Sequence, residues 1–257
     1  ILNSKNQICK ILKIINNDDF FYLLDQYDKK NLAHSNHSID DTACIYYSSG
    51  TTGDPKCVEY SHDNMLSLIR SITSEFCFSS NDIFLGVLPV GHTAIINYQL
   101  LPCVMVGGKI TLVKNFNSIR PDLWKIINKL NITNFQIVPT ILFSMLSTPY
   151  KEVDIDQNKT LKFLSCGSAP LSINVQEKTK KLFNIPVANL YGLSETGPSH
   201  FDNPNNKDWK PGSIGFPLKV NKCIILDENN KICKNNKIGQ IALKGENVFK
   251  GYFRNKL

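Results

Sequence analysis

Hydroxyl, glycine and lysine residues are concentrated in residues 47–56, which read Tyr-Ser-Ser-Gly-Thr-Thr-Gly-Asp-Pro-Lys. Gly50 and Gly53 allow backbone turns that a Cβ atom would hinder, so that successive N–H groups can face one anion. The side chains around this turn have the chemistry of a polyphosphate site, and they belong to Ser48, Ser49, Thr51, Thr52 and Lys56. The stretch is not the common P-loop, because that loop ends in Gly-Lys-Ser or Gly-Lys-Thr. Taken by its composition alone, it is a plain surface loop.

A second candidate group lies in residues 189–196, which read Asn-Leu-Tyr-Gly-Leu-Ser-Glu-Thr. Tyr191 offers a ring that can stack on a base, and Gly192 allows a ligand to approach the backbone closely. Ser194 offers a hydroxyl group and Glu195 a carboxylate. A carboxylate that binds Mg²⁺ together with substrate phosphates is a common magnesium site. Taken alone, the same residues are an exposed turn with a solvated glutamate.

Two further groups carry weaker signals. Ser168, Ala169 and Pro170 follow Gly167 and form, by themselves, an ordinary connection between a strand and a helix. His92 comes after an apolar run that ends in Pro-Val-Gly. A lone histidine in such a place is usually a structural residue rather than a ligand or a base. Neither group identifies a chemistry without further context.

Strand and helix patterns alternate from residue 42 onward, and they determine where these groups lie. Apolar runs of strand length occur at residues 42–48, 82–89, 109–113, 135–138, 161–165 and 187–190. Helices are expected at residues 93–105 and after Pro121 and Pro139. Ser61 and Ser172 are predicted N-caps, and the helix after Ser172 is expected to bury Val175, Thr179, Leu182 and Phe183. Strands separated by helices of this length predict a parallel sheet with helices on its faces.

The pattern differs at the two ends of the chain. Residues 1–40 hold a helical spacing of apolar residues at Ile8, Ile11, Leu12 and Ile15, and a polar connector follows. Short apolar runs at 223–226 and 238–243 flank a turn sequence and predict antiparallel strands. The predicted fold class is α/β, with mostly parallel sheets flanked by helices and a small antiparallel, barrel-like subdomain at the C-terminal end. The predicted divisions are a partial N-terminal segment and connector, an α/β core and a truncated β-rich subdomain, at residues 1–41, 42–209 and 210–257.

The three polar loops share a position in this predicted fold. The loops that begin at Ser48, Gly167 and Tyr191 each follow a predicted strand. In open α/β sheets, ligands bind beyond the carboxyl ends of the strands. We therefore expect the three loops to form one shared pocket, whatever family the chain belongs to.

Composition excludes several classes of function. The net charge is +7, but the lysines are scattered among Asn and Ile and no basic run carries the interleaved aromatic residues of a single-strand binder, so no nucleic-acid partner is expected. No apolar stretch approaches the roughly 20 residues of a membrane span, and no signal peptide is visible. The eight cysteines lie mostly in apolar runs and form no Cys-x-x-Cys pair. They indicate a reducing compartment, and the expected location is cytoplasmic.

The stretch 47–56 closely resembles the phosphate-binding signature of the adenylate-forming (AMP-binding) superfamily. That superfamily includes acyl-CoA synthetases, coumarate-CoA-ligase-like enzymes, luciferases and the adenylation domains of peptide synthetases. Residues 191–195 resemble its aromatic-Gly-x-Thr-Glu motif, with Ser194 in place of threonine. Pro89-Val90-Gly91-His92 resembles its Pro-x-Phe-His motif, with Gly91 in place of the aromatic residue. Later glycine motifs, including Gly251-Tyr252, extend the similarity from about residue 42 to the end.

The resemblance implies a role for each candidate residue. Catalytic roles fall to Lys56, which would hold pyrophosphate, to Ser194 at the α-phosphate, and to Glu195, which would hold Mg²⁺. His92 would border the acyl pocket, with a more open wall because of Gly91. The residues implied in nucleotide binding are Ser48, Ser49, Gly50, Thr51, Thr52, Gly53, Lys56, Ser168, Ala169, Pro170, Asn189, Leu190, Tyr191, Gly192 and Ser194.

The resemblance also implies a reaction. A carboxylate attacks the α-phosphate of ATP to give acyl-AMP and pyrophosphate, and a thiol then displaces AMP. The implied substrates and cofactors are a small carboxylic acid, ATP, Mg²⁺ and CoA, or the phosphopantetheine of a carrier in place of CoA. Residues 91–96 hold no aspartate to pair an amino group, which argues against an α-amino acid.

Parts of the family pattern are expected beyond this chain. The family's Thr-Gly-Asp, whose aspartate holds ribose, would follow Leu257, and its mobile C-terminal domain bears an essential lysine. We therefore expect the chain to be a fragment of an acid–thiol ligase, without turnover by itself. Two alternatives stay open at this stage: a catalytically silent nucleotide-binding module, and an unrelated α/β phosphate-binding protein.

Overall fold

A computed structural model of the chain describes residues 38–48 and 56–253. The helix predicted from Ile8 to Ile15 lies outside the described residues, and so do loop residues 49–55. The strands of the described part are β1 (Thr42–Ser48), β2 (Lys56–Ser61), β3 (Ile83–Gly86), β4 (Lys109–Leu112), β5 (Asn134–Ile137), β6 (Leu164–Gly167), β7 (Val187–Leu193), β8 (Gly197–Phe201), β9 (Phe216–Pro217), β10 (Asn221–Leu226), β11 (Gln240–Gly245) and β12 (Gly251–Tyr252).

Helices connect most of these strands. The α-helices of the described part are α1 (His62–Glu75), α2 (Thr93–Ile95), α3 (Leu101–Val106), α4 (Leu123–Leu130), α5 (Pro139–Leu146), α6 (Glu152–Asp156) and α7 (Ile173–Phe183). A π-helical turn, Ile96–Leu100, joins α2 to α3, and two 3-10 turns, Phe116–Ser118 and Arg120–Asp122, precede α4. No helix in residues 38–48 and 56–253 is long and apolar enough to cross a membrane.

The strands of residues 38–48 and 56–253 form three sheets. The largest has the order β4-β3-β5-β6-β7-β8-β9, in which the first five strands run parallel and β8 and β9 are antiparallel additions. A second sheet has the order β1-β2-β12, and the third is the antiparallel pair β10-β11. The predicted class, a mostly parallel sheet flanked by helices with a small antiparallel part near the C-terminal end, is confirmed.

The main core lies between the parallel strands and helices α4 and α7. Trp124 of α4 and Phe183 of α7 are both buried, and their rings lie 5.1 Å apart. The central strands β5 and β6 contribute Phe135 and Leu164, which are fully buried. Burying side chains of this size stabilises a fold by about 1.5–3 kcal/mol each. This rigid layer fixes the carboxyl ends of the strands, where the candidate site lies.

Both predicted caps are present. The Ser61 side chain accepts a hydrogen bond from the Asn64 amide, and the Asn64 side chain accepts one from the Ser61 amide, which forms a reciprocal capping box at α1. The Ser172 side chain accepts from the Val175 amide at the start of α7. Leu182 was wrongly expected to face inward and is 49% exposed. It lies at the edge of the buried stripe that Val175, Thr179 and Phe183 form along α7.

The sheet that holds β1 corrects the predicted topology. We expected β1 to belong to the parallel sheet, because a helical pattern follows the glycine-rich loop. The chain instead returns after the loop as β2, which pairs antiparallel with β1 before α1 begins. A hairpin therefore carries the loop at its tip. The division predicted at residue 210 stays a prediction, and two strand pairings cross it, β8 with β9 and β2 with β12.

Several predicted boundaries differ from the observed ones. The helix expected at Pro121 begins as a 3-10 turn, and regular α-helix starts at Leu123. The strand expected from Leu161 starts at Leu164, because the Asn158 side chain bonds both backbone groups of Leu161 and holds it in a turn. The strand expected from Ile238 starts at Gln240, and Ile238 is exposed.

Asp202 makes the stability of this fold depend on pH. The residue follows β8 and is 3% exposed, and its Oδ2 atom has no hydrogen-bond partner in the part of the chain that the structure describes. Burial raises the pKa of this carboxyl to about 6, whereas an unfolded aspartate has a pKa of about 3.9. Between these values the folded chain keeps a proton that the unfolded chain releases. The free energy of unfolding contributed by Asp202 therefore falls as the pH rises from about 4 to about 6.

Asp202→Asn is expected to remove the decrease in the free energy of unfolding that Asp202 causes between about pH 4 and pH 6. It is also expected to raise the free energy of unfolding at neutral pH by about 2 kcal/mol. Urea unfolding at several pH values in that range measures it. Burial lowers the pKa of neighbouring His200, which gives a slope of opposite sign, so the difference between variant and wild type isolates Asp202. Asp208→Asn, at an exposed position, is the matched control. Equal slopes for Asp202→Asn and wild type would contradict the prediction.

Candidate active site

A cavity of about 530 Å³ lies where four segments of the chain meet. The segments are the end of β1, the turn that leads into α2, the turn after β6, and the connection between β7 and β8. Five of the residues predicted from the sequence line it, namely Ser48, His92, Ser168, Gly192 and Ser194. The volume lies within the roughly 300–1,000 Å³ that is usual for small-molecule sites. The polar loops therefore do share a pocket, although they come from two different sheets.

The β1–β2 hairpin places Ser48 and Lys56 at the two ends of the glycine-rich loop. These residues are direct cross-strand partners in the antiparallel ladder. Loop residues Ser49, Gly50, Thr51, Thr52 and Gly53, which the sequence predicts to bind phosphate, lie outside the described residues. The Lys56 Nζ atom lies 5.0 Å from the centre of the Tyr252 ring, within the range of a cation–π contact. The ring thus holds the amine at the base of the loop.

Gly192 makes the tight turn between β7 and β8 possible. A Cβ atom at this position would collide with the carbonyl oxygen of Gly197, which no side chain tolerates. The close approach of the two backbones brings the next residues of the connection back toward the cavity. Glycine is therefore required here by the geometry of the strands, independently of any ligand.

The connection from Ser194 to Thr196 is held by donors from distant parts of the chain. The Tyr60 hydroxyl donates to the Ser194 carbonyl at 2.7 Å, and the Asn247 amide group donates to the Thr196 carbonyl at 2.8 Å. Burial raises the pKa of Tyr60, so this phenol stays protonated as a donor at neutral pH. The backbone amide of Phe249 donates to the Glu195 carbonyl at 2.9 Å. These bonds fix the backbone and leave the side chains of the connection to other partners.

Glu195 and Lys56 meet the same tyrosine. The Tyr252 hydroxyl donates to Glu195 Oε1 at 2.8 Å, while its ring contacts the Lys56 amine. The hydrogen bond to the carboxylate raises the pKa of the Tyr252 hydroxyl, so the phenol remains a donor. Tyr252 lies in β12, and β12 pairs with β2 beside Lys56. The two charged residues predicted to act on phosphate and metal are thus tied to one ring.

The turn after β6 and the histidine before α2 complete the wall. Ser168 has a left-handed backbone conformation, with φ of 69°, which is uncommon for residues other than glycine and asparagine. Ala169 and Pro170 follow it and are exposed. The His92 Nδ1 atom accepts a hydrogen bond from the Ala94 amide and caps α2, which leaves the proton on Nε2. His92 therefore has a structural role as well as a place at the cavity.

Three predicted residues of β7 do not line the cavity. Asn189 is buried, and its side-chain amide donates to the Ser213 carbonyl at 2.8 Å. Leu190 packs in a hydrophobic cluster with Phe201. The Tyr191 ring lies edge-on against the His200 ring, 5.6 Å between centres. Their predicted contact with nucleotide stays a prediction. In the structure, Asn189 and Leu190 hold the strand in place.

Sequence reasoning missed several residues of the site. Tyr46, Asn97 and Tyr98 line the cavity, and Tyr252 supports the charged pair. Tyr46 lies two positions before Ser48 on β1, and the period of two along a strand could have placed it on the same face. Asn97 is a polar residue inside the apolar helix predicted at residues 93–105, and this pattern could have marked it as a candidate. In the structure its side chain is 2% exposed.

Comparisons of sequence and comparisons of structure relate this chain to the same group of proteins. The family model described as AMP-binding enzyme matches residues 4–253. An oxalate–CoA ligase from Saccharomyces cerevisiae is 32% identical over 219 residues, and the match spans 84% of this chain and 38% of that protein. A 4-coumarate–CoA ligase from Narcissus pseudonarcissus is 29% identical over 247 residues, 91% of this chain and 44% of that protein. The chain thus spans less than half the length of these relatives.

Solved structures agree. ATP-bound MatB from Rhodopseudomonas palustris matches 86% of this chain and 42% of its own, with a TM-score of 0.77 and 29% identity. O-succinylbenzoate CoA synthetase from Bacillus subtilis, solved with ATP and magnesium ion, matches 85% of this chain and 44% of its own, with a TM-score of 0.73 and 28% identity. The motifs, the fold and the family model agree, and the chain belongs to the AMP-binding enzyme family.

Proposed function

We propose that the full-length protein activates a carboxylic acid with ATP, releases pyrophosphate, and transfers the acyl group from acyl-AMP to the thiol of CoA. The observation that carries the proposal is the shared cavity, where the end of the phosphate loop, Ser194 and His92 meet. Chance similarity in one glycine-rich loop would not bring three separate motifs to one wall. The relatives named as CoA ligases support the same reaction.

The first step brings two anions together, so catalysis depends on positioning and on neutralising charge. The acid carboxylate attacks the α-phosphorus, the bond to the bridging oxygen breaks, and the electron pair leaves with pyrophosphate. Lys56 and the loop amides would hold the leaving pyrophosphate, and the Ser194 hydroxyl would donate to an α-phosphate oxygen. In the second step the thiol attacks the acyl carbon and AMP leaves.

Glu195 would hold Mg²⁺, which when bound neutralises phosphate charge. Its carboxylate fits this role, because one oxygen accepts from Tyr252 and the other has no partner among residues 38–48 and 56–253. A single carboxylate with substrate phosphates and water is the usual way that proteins bind this ion. No cluster of three His, Cys, Asp or Glu residues suitable for a metal occurs in the described ranges 38–48 and 56–253. The site is therefore expected to bind the ion together with ATP.

A phosphopantetheine carrier is the alternative acceptor, and a silent nucleotide-binding module is the alternative to an enzyme. The CoA ligases among the relatives favour CoA as the acceptor. The family fold and the assembled cavity favour an enzyme over an unrelated phosphate-binding protein.

We place the reaction in the cytoplasm, because the seven cysteines of the described residues are all free, as is usual in a reducing compartment.

Acid-dependent exchange of labelled pyrophosphate into ATP tests the proposal on the full-length protein. A panel of acids that differ in chain length and ring content is required, since the acid is unknown. Exchange that depends on one class of acid, followed by thioester formation when CoA is added, is the expected result. ATP binding without exchange for any acid would instead identify a silent module.

Tyr252→Phe is expected to lower kcat/KM for ATP in this exchange by about tenfold, because the variant loses one hydrogen bond to a charged group. The phenylalanine ring keeps the contact with Lys56, so Tyr252→Ala is expected to lower it further. The Mg²⁺ concentration that gives half-maximal rate is measured for both variants and should rise. Tyr150→Phe, which removes a hydroxyl group from a ring that packs against Trp124 and does not line the cavity, is the matched control. An unchanged Mg²⁺ dependence in Tyr252→Phe would contradict the role of Tyr252.

A further inference from the structure

The positive charge of the chain is concentrated near its C-terminal end. Residues 210–257 hold ten of the 29 Lys and Arg residues but three of the 22 Asp and Glu residues. The net charge of this part is therefore +7, which equals that of the whole chain, and residues 1–209 are neutral overall. A charge asymmetry of this kind points to an anionic partner for the basic part.

The β10–β11 hairpin and its tip carry five of these lysines at exposed positions, namely Lys222, Lys231, Lys234, Lys237 and Lys244. None of the five forms an ion pair within residues 38–48 and 56–253. Lys222 and Lys244 are direct cross-strand partners, and like charges in this arrangement destabilise a hairpin. Folding therefore brings positive charges together without a carboxylate from the described part of the chain to neutralise them.

Exposed isoleucine side chains lie among the lysines. Ile224 follows Lys222 by two positions on β10, so both side chains point to one face of the hairpin. The bridge between Leu226 and Ile232 places Ile232 on this face as well, because partners in an antiparallel ladder share a face. Ile232 is 70% exposed, and Ile238 at the tip is 99% exposed. Basic and apolar groups are thus presented to solvent together.

Hydrogen bonds give the tip of the hairpin a defined structure. The Asp227 carboxylate accepts from the backbone amides of Asn229 and Lys231, both at 2.9 Å. The Cys233 amide donates to the Ile225 carbonyl at 2.8 Å and ties the returning segment to β10. An open hollow of about 730 Å³ lies here, lined by three of the lysines, two of the isoleucines and the acidic pair at 227–228. The charged and apolar side chains are therefore held close to one another.

We propose that this hairpin patch binds the surface of a membrane that contains anionic lipids. The patch comprises Lys222, Ile224, Lys231, Ile232, Lys234, Lys237, Ile238 and Lys244. Binding at a membrane surface grows with the apolar area that leaves water and with attraction to anionic headgroups, and the patch supplies both. The inference goes beyond the proposed function, because no residue of the patch lines the candidate active site.

The composition of the hairpin favours a lipid surface over other anionic partners. Residues 217–248 contain no aromatic residue, so the hairpin offers no ring on which a nucleic-acid base could stack. An acidic protein or a free polyanion would engage the lysines and leave the isoleucines in water. A bilayer engages both, since phosphates lie at its surface and hydrocarbon lies directly below. A contribution of the isoleucines to binding is therefore the property that distinguishes the partners.

Sedimentation of the full-length protein with lipid vesicles tests the proposal. The two probes are vesicles of phosphatidylcholine alone and vesicles of phosphatidylcholine mixed with phosphatidylserine. The partition constant is expected to be at least about tenfold higher for the anionic vesicles. It should fall as the salt concentration rises, because salt screens the attraction. Equal partitioning to the two kinds of vesicle would overturn the proposal.

Two double variants separate the basic contribution from the apolar one. Lys234→Ala with Lys237→Ala is expected to lower partitioning to anionic vesicles about 25-fold, since each lysine near such a surface contributes about fivefold. Ile232→Asn with Ile238→Asn keeps every charge and is expected to lower it by at least about tenfold. All four side chains are exposed, so both variants are expected to fold and to unfold thermally like wild type.

Matched controls lie on helices away from the hairpin. Lys178→Ala with Lys181→Ala removes two exposed lysines from α7, and Val153→Asn replaces an exposed apolar residue of α6. Both controls should leave vesicle binding unchanged. If they lowered it as much as the patch variants do, net charge or general surface polarity would account for the binding, and the assignment to the hairpin would be wrong.

Binding to soluble polyanions completes the test. Polyuridylate and polyglutamate are the probes, and neither is expected to compete with anionic vesicles at equal charge concentration. If both competed fully, and the isoleucine variant bound vesicles like wild type, the patch would be a plain polyanion surface and the proposal would be overturned. Pyrophosphate exchange without vesicles should be the same in the patch variants as in wild type. Because exchange and vesicle binding are measured separately, failure of the proposed function would leave the result for the patch intact.

Discussion

Lys56→Ala is expected to lower acid-dependent pyrophosphate exchange by at least about a hundredfold in the full-length protein, the effect of removing one donor that stabilises developing charge. Lys56 begins β2 directly opposite Ser48, so its amine lies at the base of the phosphate loop. The Tyr252 ring limits the positions that this amine can take. Because charge accumulates on the leaving pyrophosphate, the amine should act more strongly in the transition state than on bound ATP. The loss is therefore expected mainly in kcat.

Two variants make the Lys56 result specific. Lys56→Arg keeps the charge but replaces a compact ammonium group by a planar one, and it is expected to recover only part of the rate. Lys222→Ala removes an exposed lysine from β10 and serves as the control for net charge. Exchange that is undiminished in Lys56→Ala, with ATP binding also unchanged, would contradict the assignment of this lysine to pyrophosphate.

Glu195→Gln is expected to reduce exchange by about a hundredfold or more and to raise the Mg²⁺ concentration required. The substitution keeps the size of the side chain and an oxygen that can accept from Tyr252, so the loss should report on the missing charge. Thermal unfolding should change little, because the backbone of the connection is held by other donors, including Tyr60 at the Ser194 carbonyl. Titration of exchange with Mg²⁺, for the variant and for wild type, measures the effect.

Glu228→Gln is the matched control, since Glu228 lies in an exposed turn after β10. It should not alter the Mg²⁺ dependence. If Glu195→Gln left the Mg²⁺ titration where it is in wild type, the ion would have to be bound by other groups, and the metal role given to Glu195 would be wrong.

Local patterns predicted the parallel part of the fold well. A buried strand such as β5 reads as a short apolar run, and a helix such as α1 carries both its cap at Ser61 and a regular apolar stripe. These signals come from residues that are neighbours in the sequence. The phosphate loop, the turn at Ser168 and the connection at Ser194 were found for the same reason, because each is a short polar stretch that follows a strand.

Features that depend on distant partners could not be predicted in this way. Strand β2 was missed because its six residues give no local sign of the pairing with β1 and β12, and a helix follows them directly. Tyr252 is 196 positions from Lys56 in the numbering, yet its ring meets that amine. Such contacts are set by the tertiary fold.

The most direct test of the central claim follows the oxygen atoms of the acid. If the carboxylate attacks the α-phosphate, one heavy-oxygen label from the acid must appear in AMP after the thiol has displaced it. The full-length protein, supplied with the labelled acid that supports exchange, ATP, Mg²⁺ and CoA, should therefore yield labelled AMP and unlabelled pyrophosphate by mass spectrometry. Label in inorganic phosphate, or thioester formed with unlabelled AMP, would contradict activation through an acyl-adenylate.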